Sequence, residues 1–69
     1  MESFDEIGTI RFTDAEGEEG VLIVRKSSSG SLVSLCLSMR EGGDVETVLT
    51  MEIAREAFDL LANAIGAAQ

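Results

Sequence analysis

Histidine, tryptophan, tyrosine and proline are absent from this 69-residue sequence, and cysteine occurs once. Each gap removes a class of chemistry. Without histidine the commonest general base is missing. Without tryptophan and tyrosine, the aromatic platforms on which single-stranded nucleic acids stack their bases are largely missing too. The lone thiol, Cys36, excludes an internal disulfide and has no histidine to activate it. Its neighbours Leu35 and Leu37 mark it as a structural residue. There is no signal-like apolar segment and no apolar run near the roughly 18 residues of a membrane span, which with the single cysteine points to a reducing, cytoplasmic setting. Bases are scarce as well: five Lys and Arg stand against thirteen Asp and Glu, a formal net charge of −8. Phosphate-backbone and anionic-membrane binding need clustered Lys and Arg, so both are disfavoured, while a basic protein partner is favoured. The same charge also serves simply to keep a small protein soluble.

Hydrophobic residues make up 45% of the chain, too many for a disordered segment, so the sequence should fold as one domain over residues 1–69. At this length a single core is thin. The first extended segment places Phe4, Gly8, Ile10 and Phe12 on one parity, interrupted by Glu6 and Ile7, and Gly8 is a candidate for a bulge. GVLIVRK at 20–26 is a short continuous apolar run, the pattern of a strand buried on both faces. SSSGS at 27–31 is turn chemistry. Val33, Leu35, Leu37 and Met39 then alternate with Ser34, Cys36 and Ser38, a strand with one oily and one small, polar face. Glu41-Gly42-Gly43-Asp44 suggests a type I′ hairpin leading into a fourth strand, Val45 to Leu49.

From Met51 the period changes. Thr50 is a suitable N-cap and Glu52 suits the first helical turn. At about 100° per residue, Glu52, Arg55, Glu56, Asp59 and Asn63 share one narrow polar stripe, the rest of the helix is apolar, and Gly66 is the expected terminator. The predicted fold is α+β: a four-stranded antiparallel meander with one C-terminal helix packed on one face, ββββα. Both the wide apolar arc of the helix and the two-sided strand exceed what one sheet face demands, so a homodimer through the open sheet face or along the helix is expected.

A meander puts the first and third connections at the same end of the sheet. Asp14, Glu16, Glu18 and Glu19 then stand near Glu41, Asp44 and Glu46, with Arg40 the only base nearby, while Arg25 and Lys26 go to the far end beside Asp5 and Glu6. These seven carboxylates are the candidate partner-binding residues. Asp14, Glu16 and Glu18 also match the 1, 3 and 5 spacing of a calcium loop, but Glu19 replaces the glycine at position 6 and Arg25 the glutamate at position 12. A metal site is not expected there. No nucleophile elbow or P-loop occurs, so neither catalytic residues nor a cofactor are expected.

In size, acidity and lack of catalytic residues, the chain resembles small phage-encoded DNA mimics, among them anti-CRISPR and anti-restriction proteins. That resemblance implies an inhibitor whose carboxylates occupy the phosphate sites of a nucleic-acid-binding protein, acting in the host cytoplasm. GVLIVRK and VLTMEIAREAFDLLANAI are similar in order and pattern to the strand and helix of the ββββα transcriptional coactivators that bind single-stranded DNA as dimers. This second resemblance implies the fold and a homodimeric module. Those proteins present basic and aromatic groups to DNA, whereas only Arg11, Arg25, Lys26 and Arg40 are available here, so direct nucleic-acid binding does not carry over. An antitoxin-like or small-subunit partner of a larger protein would use the same apolar surface.

Overall fold

A computed structural model describes residues 2–67. Four strands precede one helix: β1 (Phe4–Thr13), β2 (Glu19–Ser27), β3 (Leu32–Met39), β4 (Gly43–Thr50) and α1 (Met51–Ala67). The sheet is antiparallel throughout in the order β1-β2-β3-β4, the meander predicted from the alternating segments. Cross-strand partners share a face, so the register divides the sheet cleanly. Ile10, Leu22, Leu37 and Val45 form one row across it, and Val24, Leu35 and Thr47 the next. That side is the apolar face. Arg25, Ser34 and Val48 belong to the opposite, polar face, as do Ile23, Cys36 and Glu46.

The register of β1 shifts between Glu6 and Gly8, making Ile7 an extra residue opposite β2. One added residue reverses the side on which everything before it points. Gly8, Ile10 and Phe12 therefore lie on the apolar face, as their parity suggests, whereas Phe4 pairs with Ser27 and goes to the polar one. Gly20 shows how tightly the apolar face is laid down at its corner. A Cβ there would come within 2.5 Å of Met39 Sδ and 2.8 Å of Phe12 Cζ, because both side chains close over the bare backbone.

The turns use glycine where the backbone demands it. Gly17, Gly30 and Gly43 have φ of 88°, 81° and 83°, a region that side chains disfavour. Gly42 is not among the positive-φ residues, so the expected type I′ turn gives way to a three-residue connection, Arg40 to Gly42, followed by left-handed Gly43. The serine turn is tied inward. Ser27 is 3% exposed, its hydroxyl accepts from the Leu32 amide at 3.0 Å, and its carbonyl accepts from Gly30 N at the same distance.

Thr50 ends β4 and caps α1, its Oγ1 accepting from the Ile53 amide at 3.3 Å. The helix continues through Gly66, which stays helical. Its placement differs from the expected one: α1 is not laid across its sheet. Among the residues of α1 whose burial is described, only Met51 and Ala54 are half-buried, while Phe58, Leu60, Leu61 and Ile65 are 69%, 70%, 63% and 61% exposed. The reason is the junction. Strand passes to helix with no intervening residue, and doubling back over a sheet needs a reversing connection of about 2–6 residues. A strand expected to be buried on both sides is also uncovered: Val21, Leu22, Ile23 and Val24 are all only half-buried. Among the described residues no hydrophobic side chain is fully buried.

Candidate functional site

The end of the sheet where β1 turns into β2 and β3 into β4 is built by carboxylates acting on backbone. Asp14 opens the first turn. Its Oδ1 accepts from the amides of Glu16 and Glu18, both at 2.9 Å, while its carbonyl accepts from Gly17 N at 3.1 Å. Aspartate at the first position and glycine at the fourth suit a type I turn. Glu18 then reaches across to the other connection, and its Oε2 accepts from Glu41 N at 2.9 Å and Gly42 N at 3.0 Å. Carboxylate oxygens are strong acceptors, so one side chain locks two loops together.

Glu19 completes the junction. Its Oε2 lies 2.7 Å from Arg40 Nη1, and its carbonyl accepts from Arg40 N at 3.0 Å. The two charged side chains are 75% and 66% exposed, so their pairing orients Arg40 without adding much stability. Thr13, Glu16, Glu18, Glu19, Arg40 and Glu41 line one open groove between the connections. Glu16 and Glu41 are exposed on its rim. Asp44 lies one pair beyond the turn on the polar face and accepts from Ser38 Oγ at 2.6 Å.

Glu46 stands apart from the other six. It pairs with Cys36 and leans along the polar face away from the loops, where its Oε2 accepts from Ser34 Oγ at 2.9 Å and sits 3.7 Å from Arg25 Nη1. Asp5 and Glu6 are the cross-strand partners of Lys26 and Arg25 in the register, yet the carboxylate that meets Arg25 is Glu46. Ser34, 2% exposed beneath this pair, is the most enclosed side chain described. The alternation placed Ser34 on the small face of β3 but gave no sign that it anchors a charged pair. Glu18 as a bridge between loops was equally hidden, since a single carboxylate in an acidic run carries no mark of the amides it will meet.

Cys36 is half-buried on the polar face between Ile23 and Glu46. No basic side chain faces it in either pairing. Nor do the acids of the first loop converge on a common point: Asp14 is turned into its own backbone and Glu18 toward the next turn. Among the described residues, no three His, Cys, Asp or Glu side chains gather as metal ligands would. None of the helices described is long and apolar enough to cross a membrane. Comparison with protein-family models, curated proteins and solved structures finds no match.

Proposed function

We propose that this chain is a binding protein, not an enzyme, whose acidic end docks on a basic, nucleic-acid-binding partner in place of phosphates. The observation that carries this reading is the pair of hydrogen bonds that the Glu18 carboxylate accepts from the Glu41 and Gly42 amides, which holds two acidic loops as one body. Asp14 and Glu18 hold the backbone from within, and Glu16, Glu19, Glu41 and Asp44 extend from that preordered frame. Preordering lowers the entropy lost on docking, and carboxylates suit arginine and lysine groups that otherwise hold a nucleic-acid backbone. Inhibition would be steric: the partner's nucleic-acid site is occupied, with long-range attraction speeding encounter and salt weakening the complex. An anti-CRISPR-like or anti-restriction role in a host cytoplasm is one form this activity would take.

Direct binding of nucleic acid has less support, because two of the four non-helical bases already face carboxylates: Arg25 meets Glu46 and Arg40 meets Glu19. The test uses E16Q, E41Q and D44N together, which remove charge and leave Glu18 in place. Basic proteins retained from a lysate by the immobilised wild-type chain should be released by added DNA and should not be retained by the triple variant. Retention by the variant, or failure of DNA to compete, would refute the mimicry.

A further inference from the structure

A folded monomer of this mass exposes about 4,200 Å² and has a radius of gyration of about 11 Å. This chain exposes 5371 Å² and has a radius of gyration of 13.6 Å, in a body only 16 Å thick. The excess surface, about 1,200 Å², matches what one partner contributes to a dimer interface somewhat above the standard of about 800 Å² per side. Its location is specific. One part is the apolar sheet face, where Ile10 and Val45 are 57% and 61% exposed; the other is the apolar arc of α1.

These two surfaces complete one another. The sheet lacks a helix and the helix lacks a sheet, so a second copy of the chain supplies both through a single two-fold axis. Charge selects the same pair. Two chains of net charge −8 repel, and they can meet only where carboxylates are few. Asp5 is the one acid that the register assigns to the apolar face, at its far corner, and the acids of α1 are confined to its polar stripe. Length agrees as well. The 17 residues of α1 span about 25 Å, enough to cross four strands that occupy about 14 Å between outer axes.

We infer that the chain assembles as a two-fold homodimer in which α1 of each copy lies across the apolar sheet face of the other. Phe58, Leu61 and Ile65 then cover the rows that contain Leu22, Leu35 and Leu37. The apolar arc left over, on the side of Ile53 and Leu60, meets the partner helix between the two sheets. The polar faces, with Arg25 and Glu46, stay outside, and this dimer stands whether or not the acidic end has a partner.

Two measurements on the full wild-type chain decide it. Light scattering at micromolar concentration should give twice 7.3 kDa, and the midpoint of thermal unfolding should fall on hundredfold dilution. A mixture of isotope-labelled and unlabelled chains should show nuclear Overhauser contacts between the Phe58 ring of one copy and the Leu35 and Leu37 methyls of the other. A folded species of single-chain mass overturns the dimer. A dimer whose intermolecular contacts run only between helices, with none from Phe58 to the sheet, overturns the exchange. F58E should yield single-chain mass; because that variant could also unfold, the wild-type contacts remain the deciding result.

Discussion

Glu18 is half-buried and accepts two amide protons from a turn more than twenty residues away in the chain. Its replacement by alanine leaves those donors to water. E18A should lower stability by about 1–2 kcal/mol in urea unfolding and abolish amide-exchange protection at Gly42. E16A, on the exposed rim, should leave both unchanged. Gly20 makes the opposite demand, for nothing at all. G20V drives a branched side chain into Phe12 and Met39 and should destabilise the protein by roughly 1–3 kcal/mol, read from the denaturation midpoint. Neither role was legible in the sequence. Asp14 to Gly20 reads as a solvated acidic loop, and a carboxylate bridging to a distant turn looks no different, in composition, from one bathed in water. The 1, 3 and 5 spacing of Asp14, Glu16 and Glu18 is uninformative for a related reason, since spacing says nothing of where each side chain turns.

At the level of elements the sequence was more transparent, because periodicity is itself a structural quantity. Alternation in β3 and the unbroken apolar run of β2 fixed strand type, and glycines located the turns. The change of period at Thr50 marked the helix start, which Thr50 Oγ1 caps. T50A should cost about 1 kcal/mol of stability in chemical denaturation, whereas T50S should retain most of the cap. Elements failed to be legible where a single residue changed the phase. Ile7 moves Phe4 to the other side of the sheet, and Gly43 alone, not the Gly42-Gly43 pair, takes the left-handed conformation. The direction of α1 was hidden too. An apolar arc announces that a helix will be covered but does not say by what, and the missing connection between β4 and α1 decides that its own sheet does not cover it.

As a whole, the molecule distributes three surfaces with little overlap: an acidic end, a polar face carrying the Arg25–Glu46 pair, and apolar areas on the other face and the helix. If the apolar areas are covered by a second copy, folding and association are one event. Far-UV circular dichroism should then lose helix and strand signal together on dilution, and E18A should make that loss occur at higher protein concentration.

The extra residue at Ile7 also bears on what such a sheet must avoid. β1 is an outer strand with one row of amides and carbonyls unpaired, a template on which further chains could add without limit. By twisting that margin and breaking its regular spacing, the bulge leaves face-to-face pairing open and discourages edge-to-edge polymerisation. Deletion of Ile7 would make the pairing of β1 with β2 continuous and straighten the strand, with Phe4 still opposite Ser27 on the polar side. The expected product is a protein that still forms its sheet but grows into thioflavin-binding fibres at concentrations where the parent chain stays in solution.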